Sequence, residues 1–133
     1  MDSPSPAPAA AVSKAALWTG RVMSALPILG FLVSASMKFS HSPEMAKGFE
    51  HLQVPLSFAA GLGVLEISCT VIYAIPRTAV LGAILLTGYL GGAILTHLRV
   101  GDPYYTHIIL GVMIWGGLFL REPRLRALIP LSR

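Results

Sequence analysis

Four long apolar stretches dominate this 133-residue sequence. They cover residues 22–39, 54–75, 79–98 and 104–120, and each contains 17 to 22 residues. A helix needs about 20 residues to cross a hydrocarbon core about 30 Å thick, and lipid requires every backbone hydrogen bond to close within the spanning segment. The sequence therefore predicts an all-α, integral membrane four-helix bundle.

The segments between the apolar stretches predict the domain boundaries. Residues 1–16 are rich in Pro, Ala and Ser, which is typical of a flexible N-terminal tail. The single four-helix transmembrane domain is then expected over residues 17–130. Four connecting signals follow one another along this domain: a short helix from Ser42-Pro43 to about Gly48, tight turns at Pro76-Arg77-Thr78 and Gly101-Asp102-Pro103, and a helix end at Arg121-Glu122-Pro123.

The composition excludes several classes of protein. The chain is 54% hydrophobic and only 12% charged, whereas soluble domains carry about 25% charged residues. An ordinary soluble enzyme, a disordered chain and a nucleic-acid-binding protein are therefore excluded, and the lipid bilayer is the first expected partner. Cys69 is the only cysteine, so neither an intramolecular disulfide nor a CxxC redox pair can form, and we interpret it as a packing residue.

The basic residues predict the orientation in the membrane, because Lys and Arg are enriched on the cytoplasmic side. One side of the four predicted helices receives seven of them (Lys14, Arg21, Arg77, Arg121, Arg124, Arg126 and Arg133) and the other receives three (Lys38, Lys47 and Arg99). Both termini are therefore predicted to be cytoplasmic.

The first apolar stretch has an alternative interpretation. Its basic flank, its short apolar core and the small residues Ser34, Ala35 and Ser36 also resemble a secretory signal peptide, whose removal would leave three helices. The even number of stretches and the agreement of both termini with the charge distribution favour an uncleaved helix.

Small and aromatic residues predict how the helices pack and where they meet the headgroups. Gly88 and Gly92 form a GxxxG pair in the third stretch, which favours close helix packing within the chain or between copies of it. Five aromatic residues near the helix ends are interpreted as interfacial anchors: Trp18, Tyr73, Tyr104, Tyr105 and Trp115.

Glu66 is the most informative polar residue of the chain. It lies eleven residues after Pro55 and ten before Pro76, which places it about 15 Å from either end of its helix, near the bilayer midplane. A carboxylate at that depth costs several kcal/mol unless it is paired, protonated or hydrated. Glu66 is therefore predicted to face the bundle interior and to have a partner on another helix, with Tyr89, Thr87, Ser34 and Lys38 as candidates.

The functional hypothesis is a polar intramembrane pocket centred on Glu66. Its predicted ligand-binding residues are Lys38, Glu66, Tyr89, His97 and Arg99, with His107 as a further candidate. Such a pocket could bind a quinone or another small amphiphile, and Glu66 is the candidate acid or base if there is a reaction. No metal site is predicted, because no HxxxH or ExxH spacing occurs.

A purely structural alternative exists for each of these residues. Glu66 could pair with Lys38 or hydrogen-bond to Tyr89 and only fix the helix register. Lys38 could instead extend to the headgroups, His97 could lie at the surface of a helix end, and Arg99 and His107 could be interfacial.

Several short segments together resemble the DoxX-like family of small four-helix membrane proteins, over about residues 25–130. They are Ser36-Met37-Lys38, Gly63-Val64-Leu65-Glu66, Ile75-Pro76-Arg77-Thr78, Gly91-Gly92-Ala93, Thr96-His97-Leu98 and Gly101-Asp102-Pro103. The resemblance implies a four-helix bundle, and the family pattern selects Lys38, Glu66 and His97 as site residues. It also suggests a link to respiratory or thiol-redox membrane complexes, since the family name comes from a small subunit of a quinol oxidase. The paired cysteines that thiol chemistry requires are not present.

Three functions remain open at this point. The first is an accessory subunit of a bacterial inner membrane that binds a small lipophile, with a homo-oligomer or redox-complex subunits as possible partners and no cofactor identified other than a quinone. The second is a membrane-embedded oxidoreductase or isomerase that uses Glu66 as acid or base. The third is a small transporter or proton path, which ranks last because the cytoplasmic halves of the helices offer few polar residues beyond Arg21 and Thr78.

Overall fold

The computed structural model describes residues 3–4 and 12–128, and most of these residues are helical. Six helices follow one another: α1 (Lys14–Lys38), α2 (Pro43–Leu52), α3 (Ala59–Ala74), α4 (Ala79–Arg99), α5 (Tyr105–Arg121) and α6 (Pro123–Leu128). Single 3-10 turns, Leu56–Phe58 and Pro76–Thr78, lead directly into α3 and α4. The described residues contain no strand, so the predicted all-α class is confirmed.

Four of the helices close into a ring. α1 packs against α3 and α5, and α4 packs against the same two helices from the other side. The residues between them form a common core: Phe31, Cys69, Tyr73, Ala79, Ala83, Leu86, Leu90, Ile114, Leu118 and Leu125. We call the end of the bundle that carries α2 and the α4–α5 turn the α2 end, and the opposite end the terminal end.

Within residues 12–128, three segments are long and apolar enough to cross a membrane: Lys14–Lys38, Leu56–Ala74 and Pro76–Arg99. Only 22%, 33% and 28% of their most apolar windows are buried inside the protein, so most of this apolar surface faces outward, where lipid can cover it. The chain is therefore a multi-pass integral membrane protein. α5 is shorter, with 17 residues, and the predicted fourth crossing stays a prediction.

Two helices, α1 and α3, begin at residues that differ from the sequence prediction. α1 begins at Lys14, inside the segment predicted to be a tail, because the Ser13 side chain accepts a hydrogen bond from the Ala16 backbone N–H at 3.2 Å. Residues 1–2 and 5–11 of that predicted tail lie outside the described residues. α3 begins at Ala59 rather than at residue 54, because the chain first forms the 3-10 turn that follows Pro55.

The short connecting helices also extend beyond their prediction. α2 has the expected Ser42 cap but continues past Gly48 to Leu52, where Gln53 takes the left-handed conformation with a φ of 58°. α5 ends at Arg121 as expected, but α6 then starts at Pro123, a position where a helix tolerates proline. Residues 129–130 of the predicted domain lie outside the described part of the chain.

The glycines that allow close helix contact are not the predicted GxxxG pair. A Cβ on Gly82 would overlap the backbone of Tyr73 on α3, and Gly20 and Gly117 meet where α1 crosses α5. Gly88 and Gly92 have no described atom within 4 Å of the place where a Cβ would stand. Within the chain, this pair therefore does not mediate helix packing, and both glycines line a cavity instead.

Candidate functional site

A charged pair joins α1 and α3 inside the bundle. The Glu66 side chain is only 1% exposed, and its Oε2 lies 2.7 Å from Lys38 Nζ. The Tyr89 hydroxyl on α4 donates to the same oxygen at 3.0 Å. The predicted inward orientation of Glu66 and its contacts with Lys38 and Tyr89 are therefore confirmed.

The position of Lys38 at the end of α1 explains how its amine reaches this depth. The side chain turns back along its own helix, and Nζ also donates to Ser34 Oγ, one turn earlier, at 2.8 Å. It is 15% exposed, so the alternative in which Lys38 extends to the headgroups is wrong for this structure. Tyr89 is held by an edge-to-face contact with the Phe31 ring, at 6.3 Å between ring centroids.

The charged cluster keeps hydrogen-bonding capacity for a ligand. Both donors converge on Glu66 Oε2, and Oε1 accepts no hydrogen bond from the described residues. The Lys38 ammonium has three N–H groups, of which Ser34 and Glu66 take two. One acceptor and one donor are therefore left side by side, and both residues line the cavity described next.

A large cavity of about 1420 Å³ lies beside this cluster. Its walls come from α1 to α5 and are mostly apolar, and its polar lining residues are Ser34, Lys38, Glu44, Glu66, Tyr89, Thr96, His97, Thr106 and His107. Gly61, Gly88 and Gly92 are among the lining residues and are exposed. An apolar chamber with a few convergent polar groups is the usual form of a small-molecule site.

Two histidines line the same cavity nearer the α2 end. His97 follows Tyr89 by eight residues on α4, which is about 12 Å along the helix axis. Its ring lies 4.5 Å, between centroids, from the ring of His107 on α5. The separation of the two residues in the sequence did not predict this contact, because it depends on how α4 and α5 are packed.

Arg99 is not among the residues that line the cavity, and its predicted binding role stays a prediction. Its guanidinium donates to the backbone carbonyl of Leu52, the last residue of α2. Beside it, His51 Nε2 lies 2.8 Å from both carboxylate oxygens of Asp102 in the α4–α5 turn. These two contacts attach the C-terminal end of α2 to the end of α4 and to the α4–α5 turn.

A second buried polar cluster occupies the terminal half of the bundle. Tyr73 is 0% exposed, so its interpretation as an interfacial anchor is wrong. Its hydroxyl donates to the Ile114 carbonyl at 2.8 Å and hydrogen-bonds with Ser24 Oγ at 2.8 Å, while Arg121 Nε donates to Ser24 Oγ at 3.2 Å. The sequence signal was the position of Tyr73, seven residues after Glu66 on the same helix face.

Trp115 is likewise not an anchor at a helix end. It lies within α5, and its indole N–H donates to Thr87 Oγ1 on α4 at 2.7 Å. Trp18 and Tyr105 do face outward, with exposures of 61% and 68%, as the anchoring interpretation requires.

These features define a polytopic α-helical membrane protein with a charged pair buried beside a lipophilic cavity. The sequence model of the DoxX-like family matches residues 22–119, which includes all of α2 to α4 and most of α1 and α5. The protein belongs to this family. Neither a curated protein nor a solved structure matches the chain significantly.

Proposed function

We propose that the protein binds a small lipophilic molecule with a hydroxyl or carbonyl head, such as a quinone, in the cavity beside Glu66. The supporting observation is the unused donor and acceptor of the Lys38–Glu66 pair on an apolar chamber. A ligand carbonyl accepts from Lys38 Nζ, a ligand hydroxyl donates to Glu66 Oε1, and the apolar part of the ligand lies against the chamber walls. The protein acts in this proposal as an accessory, ligand-binding membrane subunit.

The buried carboxylate suits this role because the ammonium of Lys38 already balances its negative charge. An unpaired charge at this depth would be too costly to keep for binding alone. Lys38 and Tyr89 satisfy one carboxylate oxygen, so the other can change partners when a ligand enters. A head group that replaces water at Oε1 gains a hydrogen bond to a charged acceptor, which contributes about 1.5–3 kcal/mol.

The expected result for binding is that a short-chain ubiquinol, whose ring hydroxyl can donate to Glu66 Oε1, slows the modification of Cys69. This residue is the only thiol of the chain and lines the cavity. The full chain in lipid nanodiscs is treated with a small membrane-permeant thiol reagent at increasing quinol concentration. Glu66→Gln is expected to raise the half-protecting concentration about tenfold, because it replaces a charged acceptor with a neutral amide.

Glu50→Gln is the matched control, since Glu50 is exposed on α2 and does not line the cavity. Its protection curve should coincide with that of the unaltered chain, and helicity should be equal in all three proteins. Two results contradict the proposal: quinol that does not slow the modification of Cys69, or equal protection in Glu66→Gln and the unaltered chain.

The proposal also places the protein in a bacterial inner membrane, with four crossings and both termini in the cytoplasm. The distribution of Lys and Arg supports it, and α5 with 17 residues is at the lower limit for crossing a bilayer. A periplasmic alkaline phosphatase reporter is expected to be inactive when fused at either end of the chain and active when inserted after Gly101. A cytoplasmic fluorescent reporter should show the opposite pattern. Active phosphatase at the C-terminus alone would show that α5 does not cross.

A further inference from the structure

Two histidines from neighbouring helices meet at the α2 end of the cavity. The rings of His97 and His107 are tilted by 46° with their centroids 4.5 Å apart, and both residues line the cavity. The lipophile proposal uses neither of them, because its polar contacts lie one helix turn or more deeper in the bundle. The available ring nitrogens decide what such a pair can bind.

His97 has one ring nitrogen fixed and one left free. Its Nδ1 lies 2.7 Å from the Ala93 backbone carbonyl, one turn earlier on α4. A carbonyl oxygen only accepts, so Nδ1 carries the hydrogen, and Nε2 of the neutral ring has a free electron pair. Metal-ligating histidines are oriented in the same way, with the second ring nitrogen donating to a carbonyl or carboxylate.

His107 has a buried nitrogen without a partner. Its Nδ1 is inaccessible to solvent and makes no hydrogen bond with any residue that the structure describes. An unsatisfied buried polar atom costs about 1–3 kcal/mol, so an electron-pair acceptor or a proton donor bound at this point would stabilise the protein. The short distance of 4.5 Å between the centroids of the two rings favours a group that both imidazoles share.

We propose that His97 and His107 together bind one divalent late-transition-metal ion, of the class of Cu²⁺ or Zn²⁺. Imidazole nitrogens bind these ions at about 2.0–2.1 Å, so two ligating nitrogens lie roughly 3 Å apart and their rings are almost in contact. The observed ring distance fits this requirement. Mg²⁺ and Ca²⁺ prefer oxygen ligands and are not expected here.

The site has two protein ligands and open coordination positions. No group of three or more His, Cys, Asp and Glu residues capable of holding a metal occurs among the residues described by the structure. The remaining positions of the ion therefore belong to water or to a molecule in the cavity. Structural zinc sites have four protein ligands, so this is an exchangeable site.

Titration of the untagged full chain in nanodiscs tests this site. Calorimetry with CuCl₂ is expected to show one ion per chain, with affinity in the order Cu²⁺ above Zn²⁺ above Mn²⁺. His97→Ala and His107→Ala are each expected to weaken binding at least about tenfold, since even loss of a supporting partner of a metal ligand costs about 10–100-fold. Electron paramagnetic resonance of the Cu²⁺ form should show two coordinating imidazole nitrogens.

His41 supplies the control. His41→Ala should keep the affinity of the unaltered chain, because this residue is exposed and does not line the cavity. Glu66→Gln should also bind the ion normally, which separates this proposal from the lipophile proposal. Full Cu²⁺ affinity in the double variant His97→Ala/His107→Ala would overturn the site, and so would a spectrum of the unaltered chain without imidazole nitrogens, whether or not the variants fold.

Discussion

Lys38→Met is expected to lower the free energy of unfolding by about 3–5 kcal/mol, the usual cost of removing one partner of a buried ion pair. Glu66 is 1% exposed and lies mid-helix, so removing the ammonium leaves its carboxylate largely buried and without the cation that balances its charge. Tyr89 would be its only remaining described partner. The measurement is reversible unfolding in mixed micelles at neutral pH, followed by circular dichroism.

Two further variants distinguish the contribution of the ion pair to stability from the contributions of Lys38 and Glu66 alone. Glu66→Leu should cost less than Lys38→Met, because Lys38 is at a helix end and can turn toward water. The double variant Lys38→Met/Glu66→Leu should recover most of the loss, since apolar replacement of a whole buried pair is often close to neutral. Lys47→Met, on the exposed face of α2, is the matched control. Equal destabilisation by Lys38→Met and Lys47→Met would show that the pair contributes nothing.

The second large effect is expected at Gly82. A Cβ at this position would overlap the Tyr73 backbone, and backbone atoms cannot move aside without separating α3 from α4. Gly82→Ala is therefore expected to cost about 3 kcal/mol, at the upper end of the range for overpacking. The same unfolding measurement should show this loss together with reduced yield of folded protein.

Gly92→Ala is the natural comparison, since it makes the same chemical change on the same helix. Open space surrounds this position, and alanine is the better helix former by about 1 kcal/mol. Its stability should equal or exceed that of the unaltered chain. If Gly92→Ala were the more damaging of the two, the GxxxG pair would mediate an essential contact, and the contact would have to be with another copy of the chain.

The two effects have one structural basis. Close contact between α3 and α4 at Gly82 fixes these helices near the terminal end, where Tyr73, Ser24 and Arg121 form the second polar cluster. Toward the α2 end the cavity lies between the helices. There the contacts of Lys38 and Tyr89 with Glu66 join α1, α3 and α4. The terminal half is thus the packed scaffold, and the α2 half is the part of the bundle that can hold a ligand.

The second polar cluster also changes one premise of the sequence interpretation. The cytoplasmic halves of the helices were expected to offer few polar residues beyond Arg21 and Thr78. Ser24, Thr70 and Tyr73 are nevertheless buried in the terminal half of the bundle, which the basic residues predict to be the cytoplasmic one. Their contacts were not predicted because serine, threonine and tyrosine are common in apolar helices, and nothing in one helix shows which of them will face another.

The sequence alone determined the helical class, the membrane environment and the inward orientation of Glu66. These properties depend on length, hydropathy and the helical repeat, all of which act within one segment. Only the tertiary structure decided that Gly82 rather than Gly88 carries the close contact, that Arg99 holds α2 instead of lining the cavity, and that His97 meets His107. Each of these depends on the rotation and register of one helix against another, which are set by many weak packing contacts summed over the whole interface and are not encoded in any single segment.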